Sequence, residues 1–295
     1  MHTSATSYQN SEPLSITQAL HRAEALGLAR LDAQLLLLHA LARTQTERAW
    51  LIAHDSDFLD CAAQHHYLAL CQRRANAEPL AYIVGRKEFF GLDLAVDPRV
   101  LVPRPDTETL VEWALATMAD NASWQAPSVL DLGTGSGAIA LALAHTRRDA
   151  QVTAVDASAD ALALAQANAQ RLQLPVFFLQ GDWLTGYQGQ HHVIVSNPPY
   201  IAEHDPHLPA LHHEPLQALV AGADGLDDLR RIVQQARAHL HPGGWLLLEH
   251  GYDQASAVRA LLHASGFVQV QSRCDLGGIA RCSGGQWPVM VVINN

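Results

Sequence analysis

The sequence predicts an α/β protein: a seven-stranded, mostly parallel sheet that ends in an antiparallel hairpin, preceded by a small helical bundle. Three observations carry that prediction. Apolar residues recur at helical spacing from about Leu14 to Ala77. Beyond Val129, short continuous runs of apolar residues alternate with amphipathic stretches, the signature of strands covered by helices on both faces. The last two strand-like runs have no helix between them.

In chain order, the first segment (residues 1–77) is rich in Ala, Leu, Gln and Arg. Ile16, Leu20 and Ala23 form one helical stripe, and Leu35, Leu38, Leu41 and Ala42 form another, so the segment reads as a helical bundle. Glu78-Pro79 then punctuates the chain. Ala81 to Val102 carries Tyr, Ile, Val, Phe and Leu broken by Gly85, Gly91 and Pro98, so residues 78–104 read as a β-hairpin linker. Residues 105–295 form the third segment, opening on a helix over Thr107–Met118. Parallel strands are expected at Val129–Leu132, Val152–Asp156, Val176–Gln180, Val193–Asn197 and Trp245–His250, with helices at Ala138–His145, Ala159–Leu172 and Asp227–Leu240. Phe267–Arg273 and Val289–Asn294 complete the sheet, and Gly284-Gly285 reads as a turn before the final strand. No internal repeat or low-complexity segment is visible.

With 295 residues, 48% of them hydrophobic, the chain can bury a sizeable core. Its formal net charge of -10 argues against a protein that works by gripping nucleic-acid phosphates, because that affinity comes from basic side chains. Cys61, Cys71, Cys274 and Cys282 make no C-x-x-C pair and no disulfide framework, so they read as free thiols in a reducing compartment. Met1–Pro13 lacks the apolar stretch of a signal peptide, and no apolar run approaches the roughly 18 residues that span a bilayer. A soluble, cytoplasmic protein is the expectation. Histidine is frequent, with doublets at His65-His66, His191-His192 and His212-His213, but no metal-ligand spacing is present. Solvated surface histidines and no metal site are expected.

Asp131-Leu-Gly-Thr-Gly-Ser-Gly137 follows the first strand of the sheet and opens a helix. Glycines there let the backbone turn tightly and approach a ligand, with helix N–H groups facing it. Asp156 ends the next strand, where a carboxylate can accept both hydroxyls of a ribose. An adenosine-bearing cofactor follows, although Gly133-x-Gly135-x-x-Ala138 satisfies the dinucleotide fingerprint as well. After the third strand, Asp182 can bond an adenine amine and Trp183 can lie against its ring. The fourth strand ends in Ser196-Asn-Pro-Pro-Tyr200, for which a nicotinamide enzyme has no use. Together these features resemble the class I (Rossmann-like) methyltransferase fold.

Asn197-Pro-Pro-Tyr200 has a direct chemical reading. Pro198 and Pro199 lack N–H groups, so the backbone offers acceptors without competing donors, and Asn197 adds a side-chain carbonyl. Such a cluster suits a planar –NH2 group, and Tyr200 supplies a ring on which a flat substrate can stack. Drawing both N–H groups of an amide towards acceptors favours pyramidal nitrogen and exposes its lone pair, and in-line placement does much of the remaining work. No side-chain base is required. Glutamine amides, adenine N6 and guanine N2 all satisfy this motif.

The chain further resembles the release factor glutamine methyltransferases, the HemK-like family. Glu78-Pro-Leu-Ala-Tyr-Ile-Val-Gly85, Glu88-Phe-Phe-Gly91, Leu101-Val-Pro-Arg-Pro-Asp-Thr-Glu108, Val195-Ser-Asn-Pro-Pro-Tyr-Ile201, Glu214-Pro215, Leu248-Glu-His-Gly251 and Asp275-x-x-Gly278-x-x-Arg281 follow in family order. The resemblance implies N5-methylation of the glutamine in the Gly-Gly-Gln motif of class I peptide-chain release factors, with S-adenosyl-L-methionine consumed and S-adenosyl-L-homocysteine released. It implies an N-terminal domain that helps to hold the release factor. It implies cofactor contacts at Gly133, Thr134, Gly135, Ser136, Gly137, Asp156, Trp183 and Asn197, and substrate contacts at Asn197, Pro198, Pro199 and Tyr200, with Asn197, Pro198 and Tyr200 at the chemistry. Asp182 and Glu108 read equally as site contacts or as carboxylates capping backbone. Alternatives are glutamine methylation of a ribosomal protein, methylation of adenine N6 in nucleic acid, and a non-catalytic adaptor on the translation machinery. The tail also contains Gly284-Gly285-Gln286, the tripeptide of the expected substrate, which raises self-methylation as a hypothesis.

Overall fold

The structure, a computed structural model, describes residues 12–289. Contacts divide the chain into two units, Met1–Val84 and Gly85–Asn295. The first contains helices α1 (Ile16–Ala25), α2 (Arg30–Ala40), α3 (Arg48–Ala53), α4 (Cys61–Ala75) and α5 (Leu80–Val84). Helix α1 begins at a capping box: Gln18 N donates to Ser15 Oγ at 3.2 Å, and Ser15 N donates to Gln18 Oε1 at 2.8 Å. Such a cap is worth about 1 kcal/mol.

The stripe Ile16, Leu20 and Ala23 is buried as its spacing requires. The second stripe is shifted. Leu36, Leu37 and Leu38 are buried, Leu35 and Leu41 are half-buried, and Ala42 is exposed beyond the end of α2. Four consecutive leucines carry no phase, so packing rather than pattern chooses the inward face. Ile83 and Val84 join the same core as α1 and α2, and Leu80–Val84 is helical rather than part of a hairpin. A short apolar run cannot separate those two readings by periodicity.

The second unit opens with an antiparallel hairpin, β1 (Arg86–Phe89) and β2 (Leu92–Ala95), whose Phe89, Leu92 and Leu94 are buried. Then follow α6 (Glu108–Asp120), β3 (Ser128–Leu132), α7 (Ala138–Thr146), β4 (Gln151–Asp156), α8 (Ala159–Leu172), β5 (Val176–Gln180), β6 (His191–Ser196), α9 (Asp227–Ala236), β7 (Leu240–Glu249), α10 (Ala255–Ala264), β8 (Val268–Cys274) and β9 (Ala280–Gln286). The last seven strands form one sheet in the order β5-β4-β3-β6-β7-β9-β8. β3 to β7 run parallel, and β9 runs antiparallel to both β7 and β8. Every residue of α7 from Ala138 to Ala144 is buried, which explains a helix that reads as apolar on all sides. Asn168 of α8 pins the hairpin, accepting from Ala95 N at 2.8 Å and donating to Ala95 O at 3.0 Å.

Among the described residues the last strand is Ala280–Gln286, and the strand expected at Val289–Asn294 lies almost wholly outside the described residues. Gly284 sits inside β9 rather than in a turn, because a Cβ there would come within 2.6 Å of Leu247 Cδ2 and 2.7 Å of Leu246 O. The Gln286 amide donates to Gly243 O at 2.9 Å and accepts from Gln269 Nε2 at 2.8 Å. This Gly-Gly-Gln is therefore a packed strand, which removes the motive for self-methylation. The doublet His191-His192 is likewise no surface pair, since His191 is buried at the start of β6.

Among the described residues, no group of three or more His, Cys, Asp or Glu side chains is placed to hold a metal ion, and no helix is long and apolar enough to cross a membrane.

Candidate active site

Strand order reverses between β3 and β6: the chain steps outward from β3 to β4 and β5, then returns to β6 and continues on the other side to β7. Loops leaving the C-terminal ends of β3 and β6 therefore diverge and leave a crevice, the usual place for a site in such sheets. A cavity of about 580 Å³ occupies it. Its walls include Gly133, Thr134, Gly135, Ser136, Asp156, Asp182, Trp183, Asn197 and Pro199, nine of the residues expected from sequence. Gly137, Pro198 and Tyr200 do not line it.

Gly133 and Gly135 have φ of +71° and +55°, a left-handed backbone that lets the loop double back on itself. The N–H groups of Gly133 and Thr134 both donate to Val155 O, at 2.8 and 3.0 Å. Beneath the loop, Asp131 is fully buried; its Oδ2 accepts from Thr134 Oγ1 at 2.6 Å and Ala140 N at 3.2 Å, while Oδ1 has no partner. Burial pushes its carboxyl up to about 7. Gly137 supports rather than lines the site, packing on Leu141 and Ala165 at the start of α7.

Asp156 is fixed by two backbone donors. Gly135 N reaches Oδ2 at 2.8 Å and Ser158 N reaches Oδ1 at 2.9 Å, which ties the end of β4 to the glycine loop. Burial nevertheless raises its pKa. Each oxygen retains lone-pair capacity for a further donor.

Trp183 adopts φ of +52°, strained for a non-glycine residue. The strain brings its indole over the loop: a Cβ on Gly133 would fall 3.1 Å from Trp183 Cζ3. Nε1 donates to Asp228 Oδ1 at 2.9 Å, so α9 holds the ring in place. Asp182 is exposed and pairs with Arg231 at 2.5 Å.

At the end of β6, Ser196 Oγ donates to Leu132 O at 2.7 Å, locking the two central strand ends together. Asn197 Nδ2 donates to Thr107 Oγ1 at 3.2 Å, and its Oδ1 is buried without a partner. Pro198 and Pro199 are buried. Tyr200 is held through its backbone, with its N–H on Leu219 O at 3.2 Å and its carbonyl accepting from Gln254 Nε2 at 2.9 Å. Its hydroxyl donates to Glu249 Oε1 at 3.3 Å. Burial, reinforced by Glu249, holds the phenol well above its ordinary pKa.

One wall comes from the strap before α6, where Pro103, Arg104 and Thr107 line the cavity. Glu214, buried, accepts from Val102 N at 3.1 Å and pairs closely with Arg104. Glu108, by contrast, accepts from Phe90 N at 3.1 Å and does not line the cavity. Thr107, Glu214 and Glu249 lay inside motifs visible in the sequence but carried no assigned role there. Asp228 and Arg231 lay in no motif, and only their spacing on the polar face of α9 marks them.

The chain matches the family model of the methyltransferase small domain over residues 112–270 and that of the PrmC N-terminal domain over residues 15–85. A release factor glutamine methyltransferase from Burkholderia pseudomallei is 49% identical over 271 residues, covering 88% of this chain and 93% of the relative. One from Bordetella pertussis is 51% identical over 263 residues, covering 88% and 95%. Among solved structures, a methyltransferase from Pyrococcus furiosus superposes with a TM-score of 0.52 at 19% identity, over 74% of this chain and 98% of that one, which speaks to the fold alone. The chain belongs to the release factor glutamine methyltransferase family.

Proposed function

We propose that this member of the family transfers a methyl group from S-adenosyl-L-methionine to the side-chain amide nitrogen, N5, of the glutamine in the Gly-Gly-Gln motif of class I peptide-chain release factors. The observation that carries the reading is Asn197, which lines the cavity and whose Oδ1 is a buried acceptor without a donor. An unpaired buried acceptor costs about 1–3 kcal/mol, and an amide N–H of the substrate relieves that cost.

The residues present fit the cofactor. Gly133 and Gly135 leave the loop without side chains, Asp156 is oriented with acceptor capacity to spare for a ribose, and the Trp183 indole is clamped by Asp228 where an adenine ring can lie. Bound there, S-adenosylmethionine supplies an electrophilic methyl group on sulfur. Asn197 Oδ1 and the carbonyl of Pro198 take the two N–H groups of the glutamine amide and turn the nitrogen lone pair towards that methyl. Tyr200 backs the amide plane. Placement of the reacting atoms supplies the largest share of the acceleration. After transfer the strongly acidified amide proton leaves to solvent, and S-adenosyl-L-homocysteine remains. Asp182 is a weaker contact in this reading, since Arg231 already occupies its carboxylate.

We assign the helical unit to holding the release factor. The net charge of -10 supports a protein partner over direct contact with nucleic acid, and the reading places the enzyme in the cytoplasm. Methyl label from S-adenosylmethionine should appear on a purified class I release factor and not on a copy whose Gly-Gly-Gln glutamine is alanine. Equal label on both would move the target elsewhere.

A further inference from the structure

Among the described residues that line the cavity, Trp183 is the one non-glycine with a positive φ, +52°. A bulky side chain does not hold that conformation unaided. Nor does an indole choose its own edge, because rotation about χ2 presents either the N–H or the benzene edge to the same neighbour. Something outside the turn has to fix both.

Helix α9 does so. Leu229, Ile232, Val233 and Ala236 are its buried face. Asp228, Arg231 and Gln235, spaced i, i+3 and i+7, form a polar stripe beside it, and each grips the turn after β5. Trp183 Nε1 donates to Asp228 Oδ1 at 2.9 Å, and Arg231 Nη2 donates to Asp182 Oδ2 at 2.5 Å. Gln235 accepts from Leu184 N at 3.1 Å and donates to Thr185 Oγ1 at 3.3 Å. One helix thus holds residues 182–185 in succession. Arg231 also lies 3.6 Å from Asp228 Oδ1, which keeps the acceptor in place and compensates its charge. An acid in the first turn of a helix is ordinarily explained by the helix dipole. Asp227 fits that explanation, being exposed and paired with Arg230 at 2.9 Å. Asp228 does not, because it is half-buried and lines the cavity with Trp183.

We propose that Asp228 is a positioning residue for the cofactor: by accepting the Trp183 indole N–H, with Arg231 behind it, it holds the ring in the strained turn over Gly133, so that affinity for S-adenosylmethionine is set from α9. Asp182 then belongs to the clamp, through Arg231, rather than to the adenine. The inference rests on the reading of Trp183 as the surface on which the adenine lies.

The test is calorimetry of S-adenosylmethionine binding, beside the indole Nε1–H resonance of Trp183 in 15N-labelled enzyme, assigned by its loss in Trp183→Phe. Asp228→Ala, a substitution that suits a half-exposed helical position, should raise Kd by about tenfold or more and open that N–H to exchange. Asp228→Asn keeps an acceptor oxygen, so Kd should stay within about threefold and the N–H should stay protected. Asp227→Ala removes a charge from the same helical turn and should change Kd by less than about twofold. In Trp183→Phe, which keeps a ring and loses the donor, adding Asp228→Ala should raise Kd by less than a further factor of about two. A raised Kd in Trp183→Ala, with wild-type Kd and a protected N–H in Asp228→Ala, overturns the proposal alone. Wild-type Kd in Trp183→Ala itself would place the adenine elsewhere, and the proposal would fall with that reading.

Discussion

At the start of β6 the His191 ring is buried, and its Nε2 lies 2.7 Å from the Tyr187 hydroxyl. Just past the end of the same strand, Asn197 lines a cavity of about 580 Å³, and its Oδ1 is also buried and has no partner. The surroundings differ accordingly. Around His191, the rings of Trp124, Tyr187, His192, His239 and His241 pack within 4.7–5.6 Å of one another in pairs, and none of them lines the cavity. Around Asn197, three strand ends supply buried acceptor oxygens without donors: Asp131 of β3, Asn197 after β6, and Glu249 of β7. Each end keeps a buried polar atom without a partner, His191 Nδ1 at one and these oxygens at the other, but of their residues only Asn197 lines the cavity, where a donor-bearing ligand repays the cost to folding.

Acid should act oppositely at the two ends. His191 is depressed from 6.5 to about 4 by burial, so the folded protein binds fewer protons than the unfolded chain between those values. Its stabilisation is complete above pH 6.5 and is lost as pH falls towards about 4. Glu249 is raised from 4.5 to about 7 by burial, so its contribution is complete below 4.5 and is lost as pH rises through 7.

The largest effect that can break the comparison belongs to Asn197→Ala. It should lower kcat by about 100-fold or more while leaving cofactor affinity within about threefold. Wild-type turnover would deny the open acceptor its role. Next is Asp156→Ala, expected to raise the Kd of S-adenosylmethionine by roughly 10- to 100-fold in calorimetry, with kcat at saturation much less affected. At the closed end, His191→Gln should flatten the pH dependence of stability, removing about 1–2 kcal/mol of the loss between pH 6.5 and about 5 in denaturant titrations. An unchanged slope would mean that His191 is not the group responsible. The smallest effect is Tyr187→Phe, which should cost about 1 kcal/mol of stability and leave transfer per folded molecule unchanged. A drop in kcat there would show that the two ends are coupled.

Much of this architecture was legible in the chain because β-strands buried on both faces must be apolar and glycine loops must be glycine. The positions of Gly133, Gly135, Asp156, Trp183, Asn197 and Pro199 around one cavity follow from those patterns. What was not legible depends on packing. The leucine run of α2 has no phase of its own, Gly284-Gly285 resembles a turn until Leu247 and Phe267 are seen against it, and the helicity of Leu80–Val84 needs the core it joins. The partners of buried polar groups were equally hidden. Nothing in Pro-Asp-Thr-Glu108 or Leu-Glu-His-Gly251 announces that Thr107 meets Asn197, 90 residues on, or that Glu249 meets Tyr200, 49 residues before it, since those juxtapositions are made by strand order.

The open end of the sheet waits for N–H donors, and a single substitution in the substrate tests this. A release factor whose Gly-Gly-Gln glutamine is replaced by glutamate offers a carboxylate, a better nucleophile in water than an amide but one that brings no N–H group. The measurement is methyl label transferred to each protein at saturating S-adenosylmethionine. Label is expected on the glutamine form and none on the glutamate form, whose oxygens would face Asn197 Oδ1 and the Pro198 carbonyl. Label on glutamate, as a methyl ester, at a comparable rate would contradict it.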